Sequence, residues 1–127
     1  MCRSSTISLV DCVFTGNSAG SGAGTGYCTQ WGSGANTPGV GASGGAIEAT
    51  ACTMQIDRCS FIANNSGHGG GGANVLGNCI TTSARSGNGG ALSLVAGTTT
   101  ISNSLFSANF VPRSGIGGCS NDVGGLG

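Results

Sequence analysis

Leu9-Val10-Asp11-Cys12-Val13-Phe14-Thr15-Gly16-Asn17 returns as Ile56-Asp57-Arg58-Cys59-Ser60-Phe61-Ile62-Ala63-Asn64, and again as Ile101-Ser102-Asn103-Ser104-Leu105-Phe106-Ser107-Ala108-Asn109. The shared pattern is aliphatic-x-x-Cys/Ser-x-Phe-x-x-Asn, with successive copies 47 and then 45 residues apart. A second phrase, Gly44-Gly45-Ala46-Ile47, returns as Gly89-Gly90-Ala91-Leu92, and each ends 14 residues ahead of its Phe. Self-similarity at a fixed period of roughly 20–50 residues marks a repeat architecture in which each unit buries its apolar face only against its neighbours.

The middle copy shows how one unit is built. Gly44-Gly45 demands φ > 0 or a close backbone approach and marks a corner. Ala46 to Ala49 reads as a short strand, Thr50 to Thr53 as a turn, and Met54 to Ile56 as a second strand. Asp57-Arg58 bends the chain, and Cys59-Ser60-Phe61 forms a third strand with Cys59 and Phe61 on one face. No stretch carries helical periodicity with caps. Strands this short are not stable alone, so each must pair with its equivalent one turn away. Parallel stacking about 4.8 Å apart sets like over like. Phe14, Phe61 and Phe106 then form an aromatic ladder, and Leu9, Ile56 and Ile101 an aliphatic one. Cys12, Cys59 and Ser104 fill a narrow column, and Asn17, Asn64 and Asn109 form an amide ladder at a corner. Asn suits that corner because it tolerates the left-handed conformation and bonds turn backbone.

These features predict an all-β chain, a right-handed parallel β-helix of about three coils, with units near 1–43, 44–88 and 89–127. The Gly- and Ser-rich inserts between units read as elaborated loops rather than as second coils. Neither end resembles a cap and no signal peptide is visible, so the chain reads as one fragment of a longer solenoid.

Composition narrows the function. Of 127 residues 27 are Gly, only 6% are charged, and the formal net charge is zero. An ordinary domain has about 25% charged residues. Hydrophobic residues make up 38% and fall in spaced runs, which argues against disorder. With no basic patch, nucleic acid is not an expected partner. No apolar run is long enough for a membrane-spanning helix. So little surface charge favours association. The seven cysteines, Cys2, Cys12, Cys28, Cys52, Cys59, Cys79 and Cys119, lack zinc-site spacing and read as disulfide cysteines of an extracellular protein. Their pairing does not follow from sequence; Cys12 with Cys28 and Cys59 with Cys79 would repeat one staple, which Ser104 weakens in the third copy.

Gly-Gly-Ala-Ile/Leu followed by Phe-x-x-Asn resembles the repeat of the polymorphic outer-membrane protein group, at Gly44 to Ile47 with Phe61 to Asn64 and at Gly89 to Leu92 with Phe106 to Asn109. Phe14 to Asn17 matches the second half. The resemblance covers about half the residues and implies a right-handed parallel β-helix used for surface display, adhesion or filament building. The Cys-bearing inserts depart from the compact bacterial pattern.

Parallel β-helices also host polysaccharide-cleaving enzymes, whose chemistry needs clustered carboxylates. This chain offers Asp11, Glu48, Asp57 and Asp122. Asp11 and Asp57 are read as equivalent bend positions, with Asn103 in the third copy, so turn bonding explains them better than catalysis. Arg58 reads as an exposed partner of Asp57, and Glu48 as outward-facing. His68 lies in a Gly-rich loop and reads as solvent-exposed. Gly69 to Gly72 lacks the Gly-Lys-Ser/Thr of a phosphate loop. Asn64-Asn65-Ser66 is an N-glycosylation sequon, but its Asn is the ladder Asn. Tyr27 and Trp31 form a candidate contact loop for a glycan or a neighbouring subunit. Thr98-Thr99-Thr100 lacks the regular Thr grid of an ice-binding face. No cofactor or metal is expected. The expected role is structural, a segment of an extracellular filament or surface adhesin whose partners are copies of itself, other surface proteins or glycans. The alternatives are a carbohydrate-active β-helix domain with its catalytic coil elsewhere, and a glycan-binding module.

Overall fold

The computed structural model describes residues 1–24, 37–72 and 83–115. Seven strands follow in order: β1 (Cys2–Arg3), β2 (Thr6–Val10), β3 (Val13–Thr15), β4 (Ile47–Asp57), β5 (Ser60–Ile62), β6 (Leu92–Ser102) and β7 (Leu105–Ser107). All pairings are parallel. In one sheet β1 and β2 lie along one edge of β4 and β6 along the other; in the second the order is β3-β5-β7. Neither sheet closes on itself. The protein is all-β, with no helix among the described residues.

The register is the sequence repeat. Leu9 pairs with Ile56 and Ile56 with Ile101; Phe14 pairs with Phe61 and Phe61 with Phe106. Three layers result: β1, β2 and β3, then β4 and β5, then β6 and β7. The middle layer supplies most of the core, with Ala49, Cys52, Met54, Ile56, Cys59 and Phe61 buried. Leu9, Cys12 and Phe14 of the first layer pack against it half-buried.

The corners are made by single left-handed residues arranged in columns. Positive φ occurs at Ser4, Ala51 and Ala96; at Asp11, Arg58 and Asn103; and at Gly16, Ala63 and Ala108. Inside a strand, inward residues recur every second position, as at Met54 and Ile56. Across a left-handed residue the step is three: Ala49 to Cys52, Ile56 to Cys59, Phe61 to Asn64. The turn expected over Thr50 to Thr53 is thereby corrected: β4 runs through it, kinked only at Ala51, because one left-handed residue suffices to keep both halves facing the core.

The Gly-Gly corner divides two tasks. Gly44 and Gly89 have φ of 67° and 68°. A Cβ on Gly45 would overlap the Gly90 carbonyl oxygen of the next layer. The described parts of the inserts form no strands, yet they bond to one another in sequence across the pile. The Ala42 N–H donates to the Gly20 carbonyl, Gly67 to Ala42, and Gly87 to Gly67, at 2.8–2.9 Å. Outgoing and returning arms therefore alternate, and a Cβ on Gly67 or Gly87 would overlap a neighbouring carbonyl. Glycine is abundant there because these backbones pack directly on one another.

Candidate functional site: the stacked ladders

Each predicted ladder residue lies over its equivalent. The Phe14 and Phe61 rings are stacked with centroids 4.8 Å apart and planes within 5°; Phe61 and Phe106 are 4.7 Å apart and within 6°. Aromatic pairs contribute about 0.5–1.5 kcal/mol beyond the area they bury. Leu9, Ile56 and Ile101 form the neighbouring file on the same interior side.

The Asn ladder is bonded throughout. Asn17 Nδ2 donates to Asn64 Oδ1 at 2.8 Å, and Asn64 Nδ2 to Asn109 Oδ1 at 2.9 Å. The backbone N–H of Asn17 and of Asn64 joins the same acceptors at 3.1 and 3.0 Å. The second amide hydrogen of Asn64 and one of the two of Asn109 go to the Phe14 and Phe61 carbonyls. Asn64 is fully buried. Its sequon is therefore closed to a glycosyltransferase once the chain has folded, since both amide hydrogens and the site itself are occupied.

The cysteine column needs a correction. Cys12 and Cys59 are free thiols, and each Sγ–H donates to the carbonyl two residues earlier, Val10 and Asp57, at 3.3 Å. Ser104 Oγ does the same to Ser102 at 2.7 Å, and Ser5 Oγ to Arg3 at 2.8 Å. Each of these residues follows a left-handed residue, and its side chain adds a bond to the carbonyl just before the bend, which at Asp57 and Ser102 also accepts a backbone N–H from the preceding layer. Ser replaces Cys in the third copy because the column needs a small donor. Among the described residues a disulfide joins Cys2 to Cys52, across two layers and 50 residues of sequence. Cys28, Cys79 and Cys119, with Tyr27, Trp31 and Asp122, lie outside the described residues.

At the outer corner the equivalence read for Asp11 and Asp57 is off by one. The register pairs Val10 with Asp57 and Asp57 with Ser102, leaving Asp11 in the left-handed column with Arg58 and Asn103. The shift assembles a polar cluster across all three layers. Arg58 grips Asp11 with two bonds, Nε to Oδ1 at 2.7 Å and a terminal nitrogen to Oδ2 at 2.9 Å, and its other terminal nitrogen meets Asp57. Asp57 Oδ1 accepts from Ser102 Oγ at 2.7 Å and Asn103 Nδ2 at 3.0 Å. The Arg58 hydrogen bond holds the Asp11 carboxyl below its ordinary value, and bonds from Ser102 and then Asn103 do so for Asp57. Arg58 is pushed up, first by its bond to Asp11. These carboxylates are occupied as structural acceptors. Sequence reading missed the cluster because it placed the two acids in one column; the 47-residue spacing, counted strictly, sets Asp11 over Arg58.

Glu48 is half-buried and His68 exposed. A shallow recess of about 100 Å³ lies among Ser18, Asn65, His68 and Phe110, well under the ~300 Å³ at which small-molecule sites usually begin. Among the described residues no three His, Cys, Asp or Glu side chains come together to hold a metal ion, and no helix is long and apolar enough to cross a membrane. Thr6, Thr53 and Thr98 do form one exposed column, but the next outward column is Ser8, Gln55 and Thr100, so the Thr array is one file wide. No family model, curated protein or solved structure matches the chain.

Proposed function

We propose that this chain is a structural repeat segment of an extracellular filament or cell-surface adhesin, and that its layers are successive coils of a right-handed parallel β-helix. The observation that carries this reading is the continuous file of identical side chains through three layers, Phe on Phe and Asn on Asn. Such a file concentrates the sequence's specificity in a stiff axis, as a load-bearing or spacing element requires. Two further facts support it. The Cys2–Cys52 bond suits an oxidising compartment. The carboxylates Asp11 and Asp57, which acid/base chemistry would need, are tied up by Arg58, Ser102 and Asn103.

Electron microscopy of native material, with its intact mass, tests the proposal. Extended fibres or surface projections of uniform width are the expected result. A compact, dispersed particle that cleaves or modifies polysaccharide would overturn it.

A further inference from the structure

Cys12 and Cys59 are free thiols that stand in one column of adjacent layers. The register brackets them on both sides: Val10 pairs with Asp57 and Val13 with Ser60. The Asp11 N–H donates to the Asp57 carbonyl at 3.1 Å and the Ser60 N–H to the Cys12 carbonyl at 2.8 Å, so the two corners lie directly against each other. Two residues on, the Phe14 and Phe61 rings are 4.8 Å apart and within 5° of parallel. Parallel pairing therefore holds the two cysteine Cα atoms about 4.8 Å apart, within the range of about 4.4–6.8 Å that a disulfide spans.

The two side chains enter the same column. Each Sγ–H donates to the carbonyl two residues earlier, at 3.3 Å. One layer further on, the Cys59 N–H donates to Ser104 Oγ at 3.0 Å, so a side chain in this column reaches beneath the backbone of the layer before it. The same placement sets the Cys59 sulfur under Cys12. On its other side Cys59 meets Ser104, so among the described residues Cys12 is its thiol neighbour. Losing the Cys59 S–H bond leaves the Asp57 carbonyl paired with the Asp11 N–H. The Cys2–Cys52 disulfide already crosses the same two layers.

We propose that Cys12 and Cys59 are a redox pair that closes to an interior disulfide joining the first and second layers. Stacked Cβ atoms lie about 4.8 Å apart and a disulfide brings them to about 4.5 Å or less, so the two corners lean together by about 0.3 Å. A small disulfide such as oxidised glutathione serves as oxidant. One cysteine loses its proton and its thiolate attacks an oxidant sulfur; the oxidant's S–S bond breaks and one glutathione thiolate leaves, taking up the proton. The second cysteine loses its proton and attacks the first cysteine's sulfur, displacing the other glutathione. The pair gives up two electrons and two protons, and the oxidant is reduced to two thiols. With Cys2–Cys52 before β2 and Cys12–Cys59 after it, Thr6–Val10 is pinned to β4 at both ends. The inference rests on the register and not on the filament reading.

Disulfide mapping of the 127-residue chain tests it. The protein is held in oxidised and reduced glutathione, once as the folded chain and once while it refolds from the reduced, denatured state. Iodoacetamide in denaturant then blocks the remaining thiols. Cleavage after Arg and Phe releases residues 4–14 and 59–61, which carry Cys12 and Cys59 and no other cysteine. The expected product, in at least one of the two preparations, is these two peptides joined and lighter by two hydrogens than their sum. Both cysteines alkylated in both preparations, or either one joined only to glutathione or to a different cysteine, overturns the proposal. Cys12→Ser keeps the carbonyl bond, as Ser104 does, and is expected to fold. Amide hydrogens of Thr6–Val10 should exchange at least about tenfold more slowly in the oxidised wild type than in Cys12→Ser under the same buffer; equal rates would overturn the pinning of β2.

Discussion

At the scale of single residues, the amide ladder concentrates stability in one side chain. Asn64 has two donors and a doubly used acceptor, all satisfied, in a fully buried site. Removing it strands Asn17 and Asn109 partners inside the stack. Asn64→Ala is expected to cost about 2–4 kcal/mol in chemical denaturation, and Asn17→Ala at the exposed end no more than about 1.5 kcal/mol. Equal costs would show that the ladder is not cooperative. The ladder positions were legible in the sequence because in-register parallel stacking makes a spatial column out of a sequence period. The role of Cys12 and Cys59 was not. A cysteine gives the same letter whether it makes a disulfide or, as here, bonds the carbonyl two residues back, and only the Ser at position 104 signalled the second role.

At the scale of elements, strand ends are set by left-handed residues, and most of these are not glycine. Holding an L-residue there costs about 1–2 kcal/mol. Gly16 occupies the column in the first layer, whereas Ala63 and Ala108 occupy it in the others. Ala63→Gly is therefore expected to raise stability by about 1 kcal/mol, read as a higher melting temperature; a loss would mean that glycine's unfolded-state entropy outweighs relief of strain. The same corners carry the Asp11–Arg58–Asp57 cluster. Both carboxyl groups sit below the ordinary value of 3.8, so the folded state holds fewer protons than the unfolded chain in acid. Their contribution is complete above that value and is lost as pH falls through the lower folded values. Because the groups are exposed, salt weakens the effect. Denaturation midpoints between pH 5 and 2 should fall less steeply in Arg58→Gln than in the wild type; identical slopes would remove the cluster from the account.

At the scale of the whole molecule, the shared core and, among the described residues, one covalent bond tie the layers together. The Cys2–Cys52 bond closes 50 residues. Loop-closure entropy for that length corresponds to about 4 kcal/mol. Cys2→Ser is expected to lower unfolding free energy by about 2–4 kcal/mol and to free the edge strand β1, which hydrogen exchange at Cys2 and Arg3 would show. A change under about 0.5 kcal/mol would mean that the two layers are already held by their register. The inserts add a second stack of mutually bonded backbones. Its existence could not be read from Gly and Ser composition, because glycine marks both slack chain and the closest backbone contacts.

The sequence by itself determined which side chains share a column: the 47- and 45-residue spacings wrote the Phe, aliphatic and Asn files, and Gly44-Gly45 and Gly89-Gly90 marked their corners. Tertiary structure alone decided the left-handed corners at Ala51, Arg58 and Ala63, the partner of Asp11, and the bonding of the small polar column. Repetition survives translation along a stack, so a period in the chain becomes a file in space. A flipped φ or a hydrogen bond's direction has no such signature, since each depends on which neighbouring layer lies within reach.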